Sequence, residues 1–413
     1  MQKRFIFVFF AFTCLLLSLI DRVNLSVVAP LLMKEHGWSP VTMGAVLSAF
    51  FWGFAISPLL GGWLADRMGG KRVLGFGAVW WSLWTILTPL APGVIGFTIF
   101  RAMLGLGEGV NAPAIQSLAS RWFPIQERTR AVAFYLSGGH VGTIIAFPLT
   151  TWIIAVYGWR AVFYIFGAVG FVWVAFWYLF GASSPETHPT ISEEERRYII
   201  AGRGASMEPR GVPWRVLLTL APVWGLIITT FAVAWMVWLF VAWLPTYLME
   251  THKFSLKESG IYAALPFLAN TGGQLGYSWL QDRLIAKGTS VTLVRKMTLT
   301  LSFAGAIVFL LLIPTAQDPM HAVWYLTGAM AVFSGAQITV MVNNIDIGPR
   351  HAGVILGLQA TAGNLAGAIS PVVAGLILAR TGSFDSVFYL IVALLVVSAI
   401  IWNLFATGEK IID

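Results

Sequence analysis

Residues 18–30 read SLIDRVNLSVVAP, and they place Asp21 and Arg22 inside an apolar run that extends from Phe5 to Met33. The hydrocarbon core of a bilayer takes about 20 apolar residues of helix to cross, so a run of this length spans a membrane. Charges at mid-membrane cost about 2.5 to 3.5 kcal/mol each on insertion scales, and they face a protein interior or a water-filled cavity. A structural ion pair locking two helices is one reading of Asp21 and Arg22. Placement on a transport path is the reading the stretch favours, because intramembrane ionisable groups are functional by default.

The rest of the chain has the composition of a polytopic membrane protein. Of 413 residues, 58% are hydrophobic and 11% are charged, against about 25% charged in soluble domains. The net charge of +8 comes from short basic clusters between apolar runs, which is a topology signal rather than a nucleic-acid surface. Cys14, the single cysteine, lies in the first apolar run and excludes an intramolecular disulfide. Lys3 and Arg4 ahead of an apolar stretch imitate a secretory signal. The run is too long for one, contains Asp21 and precedes many more spans, so a retained first helix is expected.

Apolar segments of helix length number twelve, at about 5–33, 41–64, 72–90, 93–118, 130–156, 159–181, 216–249, 258–281, 293–313, 320–343, 352–379 and 385–407. With the N-terminus cytoplasmic, 19 of the 26 Lys and Arg residues fall in inner loops and tails and 5 in outer loops. The excess predicts both termini on the cytoplasmic side. The longest polar break divides the chain into an N-terminal six-helix bundle (1–181), a linker (182–215) and a C-terminal six-helix bundle (216–413). In the linker, Ser192 and Glu195 read as a capping box opening a short charged helix along the inner membrane face. Internal repetition supports the division. The stretch from Trp63 to Arg67 recurs from Trp279 to Arg283, while Pro30 with Pro245 and Pro148 with Pro371 recur at nearly the same spacing. The expected fold is therefore an all-α membrane protein of twelve transmembrane helices in two pseudo-symmetric bundles, a plan that binds substrate near the midplane between its halves.

The fourth span carries a second pair of intramembrane charges, Arg101 and Glu108. Seven residues apart, they share one helix face about 10.5 Å apart along the axis. Gly105, Gly107 and Gly109 bare the backbone there and permit close approach by a neighbouring helix. This glycine run lacks the preceding strand and ribose-binding acid of a dinucleotide fingerprint. Arginine stays charged in any protein environment, so Arg22 and Arg101 need anions: Asp21 and Glu108, or a substrate carboxylate. Burial pushes a carboxyl toward its neutral form and a neighbouring cation toward its charged form, which makes both acids candidate proton carriers. Once an acid takes a proton, its guanidinium is released to bind an incoming carboxylate. Symport of an organic anion with protons is the predicted result.

At the positions matching Asp21 and Arg22, the second half has Met236 and Val237, so the coupling machinery is one-sided. Asn270, Gln274, Asn343, Gln359 and Asn364, with Trp243 and Tyr247 nearby, suit substrate hydroxyls or helix-to-helix hydrogen bonds. Asn364 stands out because Gly363, Gly367 and Pro371 surround it. His140 is a candidate for proton or substrate contact, or a hydrogen-bonded structural histidine.

The stretch from Gly61 to Arg72, GGWLADRMGGKR, resembles the loop between helices two and three of the major facilitator superfamily. More narrowly, Asp21 to Ser26, Arg101 to Glu108 with Pro113, Trp122-Phe123-Pro124 with Glu127-Arg128, Gly158-Trp159-Arg160 and Trp243-Leu244-Pro245 resemble the anion:cation symporters. That family includes bacterial proton symporters for sugar acids and the relatives of sialin. The resemblance implies proton coupling at Asp21 and Glu108, carboxylate binding at Arg22, and a charge-network role for Arg101. It further implies an inner-side latch of Asp66 and Arg67, with Arg72, toward an acid near the start of the eleventh helix. Sugar-acid members commonly carry a tyrosine and a glutamine where this chain has Phe54 and Gly139. Those departures favour a smaller, more apolar or aromatic carboxylate, with Phe54 in its pocket.

The expected partners are thus a small organic anion, protons and the lipid bilayer, without nucleic acid, cofactor or metal, in a monomer of the cell's inner membrane. A proton-coupled exporter of the same fold is the alternative, and Arg22 beside Asp21 argues against it. A polytopic membrane protein without transport is the other, but no paired ligand spacing such as H-E-x-x-H marks an enzyme.

Overall fold

The structure, a computed structural model, describes residues 2–203, 214–349 and 351–412, apart from the side chains of Leu59 and Asp66. The expected latch carboxylate of Asp66 and the linker stretch 204–213 therefore lie outside the described residues. Among the described residues the chain is helical, with no strand. In order, the helices are α1 (Lys3–His36), α2 (Pro40–Met68), α3 (Gly70–Leu87), α4 (Gly93–Glu108), α5 (Asn111–Trp122), α6 (Ile125–Tyr157), α7 (Trp159–Phe180), α8 (Glu193–Gly202), α9 (Trp214–Leu217), α10 (Ala221–Glu250), α11 (Leu256–Ala286), α12 (Val291–Leu312), α13 (Pro319–Ile347), α14 (Ala352–Thr381) and α15 (Asp385–Phe405). Among the described residues, 11 helical segments are long and apolar enough to cross a membrane. The expected segment 258–281 forms within the 31-residue helix α11, which is more polar than the eleven, with Asn270, Thr271 and Gln274 along it, and holds the eighth place in the twelve-helix plan. The segment 93–118 is also not one helix: it breaks after Glu108 into α4 and α5.

Two compact units form, Met1–Trp38 with Ala45–Glu208 and Ser39–Gly44 with Pro209–Asp413. In the first, α1 lies along α6, and α3 packs on α4 and α7. In the second, α10 lies along α14, and α12 packs on α13 and α15. The first-with-fifth and third-with-sixth pairings recur, as duplication of one six-span plan requires. A tryptophan ties helices in each unit: Trp173 Nε1 on α7 donates to Thr13 Oγ1 on α1 at 2.9 Å, and Trp243 Nε1 on α10 donates to the Pro371 carbonyl on α14 at 3.1 Å. Glycine ends α1, where Gly37 takes φ 66 and its N–H reaches the Met33 carbonyl.

The linker helix α8 departs from expectation in an informative way. Ser192 caps it, its hydroxyl accepting from the Glu195 N–H at 3.2 Å. Glu195 does not return the bond. Its carboxylate instead accepts from the Lys3 and Arg4 amides at 2.9 and 3.1 Å, so it satisfies the open start of α1. Only half of the expected box therefore forms, and α8 docks on the first unit. The complete box is at Ser255 and Glu258, opening α11.

Nearby, Arg203 donates to both Glu186 oxygens at 2.6 and 3.2 Å and to the Arg121 carbonyl at 2.7 Å. This contact holds the Glu186 carboxyl down at about 2. An unpaired glutamate titrates near about 4.3, so the pair supports linker docking above that value and loses it as pH falls through about 2. Amide exchange over residues 185–203 is expected to stay slow down to about pH 4 and to rise toward pH 2. Arg203→Gln is expected to raise exchange already at neutral pH and to remove that acid step.

Candidate functional site

The four intramembrane charges expected from sequence meet in the first unit. Arg22 Nε donates to Glu108 Oε2 at 2.9 Å, bridging α1 and α4. Arg101 Nη1 donates to the backbone carbonyl of Asp21 at 3.1 Å. Asp21, Arg101 and Glu108 are 2%, 2% and 1% exposed, whereas the Arg22 side chain is 14% exposed. Arg22 is the most exposed member of the group.

Asp21 and Arg22 do not pair, because successive residues on a helix point in different directions. The Asp21 carboxylate accepts from Asn24 Nδ2 at 3.3 Å, one turn along α1. Glu108 ends α4, where the helix's carbonyls present partial negative charge, and the guanidinium of Arg22 offsets that unfavourable position. The second Glu108 oxygen, Oε1, is buried without a hydrogen-bond partner among the described residues. A carboxylate holding one arginine contact and one empty acceptor position is equipped to take a proton when that arginine leaves.

Aromatic rings fix Arg22 in place. Its guanidinium lies over Phe50 at 4.8 Å and Phe54 at 4.5 Å, and Arg101 lies over the same Phe50 at 5.4 Å. Such contacts contribute about 0.5 to 2 kcal/mol each. Both rings come from α2, which can approach α4 only because Gly53 and Gly105 carry no side chain. A methyl group on Gly53 would strike the Ala102 carbonyl, and one on Gly105 the Phe50 carbonyl. Gly105→Ala is expected to separate α2 from α4, lowering stability by about 1 to 3 kcal/mol and weakening anion binding. A thermal-melt series with and without anion checks both effects.

Phe50 was not singled out in the sequence, although its spacing of four from Phe54 puts both on one helix face. Asn111 at the start of α5 was also missed; its Nδ2 donates to Ser18 Oγ at 3.1 Å, tying the α4–α5 break to α1.

The remaining expected residues lie elsewhere. His140 is exposed on α6 and makes no hydrogen bond among the described residues. Tyr247 is 3% exposed, its hydroxyl paired with His252 Nε2 at 2.8 Å and its ring packed against Phe384 and Phe388. That hydroxyl bonds within the second unit. Asn364 is half-buried on α14. Among the other polar groups of the second unit, Asn270 donates to the Met330 carbonyl and Gln359 to Thr230, tying helix to helix, and Asn343 donates to the Thr407 carbonyl just past the end of α15. Arg67 is exposed and stacks over Trp63 at 4.1 Å, Arg72 is exposed on α3, and Asp346 is held by Arg295 at 2.8 Å.

Residues 11–371 of the chain match the Major Facilitator Superfamily. The chain is 42% identical to an Arabidopsis thaliana protein named sodium-dependent phosphate transport protein 1, chloroplastic, with 100% of this chain and 80% of that protein covered. It is 41% identical to the Arabidopsis thaliana ascorbate transporter, chloroplastic, covering 100% of this chain and 76% of the relative. Among solved structures, a D-xylose–proton symporter superposes with a TM-score of 0.77 at 16% identity, covering 98% of both chains. At that identity the superposition speaks for the fold alone.

Proposed function

We propose, from the premise that this chain belongs to the Major Facilitator Superfamily, that it is a symporter carrying an organic anion together with protons by alternating access. Its relatives are named as transporters of anions, and the chain is a multi-pass membrane protein and an anion transporter at that level. The proton coupling rests on one observation, the 2.9 Å contact between Arg22 and the buried Glu108. Protonation of Glu108 removes the charge that holds Arg22. The released guanidinium then binds the anion's carboxylate, so that each ligand favours the other. Asp21, equally buried but without an ion-pair partner among the described residues, is the second proton site.

Phe54 and Phe50 beside Arg22 favour an anion with an apolar or planar body. The ascorbate named for one relative is small and planar but also carries hydroxyls, so both aromatic acids and compact hydroxy acids belong in the test. Asn364, His140 and Tyr247 remain proposed substrate contacts, and Asp66, Arg67 and Arg72 a proposed inner-side latch. The bundles at 1–181 and 216–413, joined by 182–215, are read as the two transporter halves of a monomer. The inner excess of lysine and arginine supports cytoplasmic termini in the cell's inner membrane.

Reconstituted protein is expected to accumulate organic anion when the outside is acid, with or without sodium, and to stop when a protonophore collapses the gradient. Accumulation driven by a sodium gradient and indifferent to the protonophore would overturn the proton assignment.

A further inference from the structure

A second cation cluster lies away from Arg22, where the starts of α1 and α3 and the end of α7 meet the connection to α8. A cavity of about 700 Å³ there is lined by Lys3, Lys71, Arg72, Tyr178, Thr187 and His188, and among the described residues no carboxylate lines it. Lys71 Nζ donates to the Tyr178 carbonyl at 3.2 Å, which anchors that ammonium at the wall. The N-cap of α3, Gly69, offers no side-chain cap, so the positive end of that helix is left open beside Lys71 and Arg72. Lys3 and Arg22 are separated by 19 positions of α1, about 28 Å along its axis at 1.5 Å per residue. One small anion cannot touch both clusters.

We propose that this cavity is a binding site for a phosphate-class anion, held by Lys3, Lys71 and Arg72. Three cations lining one cavity match the charge of about −1.5 to −2 and the three oxygens of a phosphate group better than they match a single carboxylate. Two sources supply that chemistry, a free phosphate and the headgroup of an anionic phospholipid. The exposed rings of Tyr178 and Phe180 at the cavity mouth are suited to the membrane interface.

His188 provides a reporter inside the site. It is 7% exposed, and its Nδ1 accepts from the Thr190 N–H at 3.2 Å. Burial together with Lys3 and Lys71 pushes its pKa below the ordinary value, against the opposing pull of the Phe180 carbonyl and Glu195. An anion seated between the lysines neutralises part of that push and raises the titration midpoint.

The full-length protein is titrated with inorganic phosphate in detergent, and separately placed in nanodiscs of phosphatidylcholine or of phosphatidylcholine with phosphatidylglycerol, while His188 is followed by NMR over pH. The site predicts an upward shift of the His188 midpoint that persists in Arg22→Ala and is lost in Lys3→Ala/Lys71→Gln. Arg72 is left intact because it is also a proposed latch residue. A shift with phosphate identifies a free anion, and a shift only with phosphatidylglycerol identifies a lipid headgroup. No shift in the unsubstituted protein with either probe overturns the proposal, as does a shift that survives loss of both lysines.

Discussion

Arg22→Ala is expected to abolish saturable anion binding, with affinity falling by about 30-fold to more than 1,000-fold, the range that truncating one partner of a buried charge pair produces. Isothermal titration reads this directly. The same substitution strands Glu108, 1% exposed, without the guanidinium now 2.9 Å away. Breaking such a pair on one side costs about 3 to 5 kcal/mol, so the melting temperature is expected to fall as well. The double variant Arg22→Ala/Glu108→Gln separates the two effects. Removing both charges restores most of the stability and none of the binding. Recovery of binding in the double variant would show that Arg22 only supports the fold.

The second large effect belongs to Glu108→Gln. The amide keeps the shape of the carboxyl and one acceptor oxygen but carries no titratable proton, and it leaves Arg22 without its anionic partner. Exchange of labelled for unlabelled anion across proteoliposomes is expected to continue near the rate of the unsubstituted protein. Uphill accumulation driven by an acid exterior is expected to fall at least tenfold. Binding is also expected to become tighter at neutral pH, since the solute no longer competes with a carboxylate for the guanidinium. Proton-driven accumulation persisting at full rate would move the coupling to Asp21.

Much of this site was readable in the sequence because charges inside apolar helices are costly and rare. Asp21, Arg22, Arg101 and Glu108 stood out for that reason, and the structure gathers them in one unit. Their pairing was not readable. Which acid meets Arg22 depends on how far α4 can approach α1 and α2, and that is set by Gly53 and Gly105 against opposing carbonyls. The sequence marked Gly105 as permissive without naming its neighbour, and Gly53 was not singled out.

Local patterns misled where a distant group competed for the same atoms. Ser192 and Glu195 have the spacing of a capping box, yet Glu195 serves the amides of Lys3 and Arg4 across some 190 residues of chain. Tyr247 also has a local partner that its sequence neighbourhood did not announce, His252, five residues on, which pairs with its hydroxyl. In the second unit the amide side chains of Asn270 and Gln359 could be read as recognition groups or as ties between helices, and their described bonds are ties, while Asn343 bonds the segment just past α15. His188 drew no notice in the sequence, because only folding brings Lys3 and Lys71 beside it.

The transfer of Arg22 from Glu108 to the anion is open to infrared difference spectroscopy on the purified protein as anion is added at constant pH. A protonated carboxyl C=O band that appears on anion addition, and that is missing from Glu108→Gln, is the predicted result. Anion binding without that band, or an unchanged band in Glu108→Gln, would contradict the exchange of partners on which the proton coupling rests.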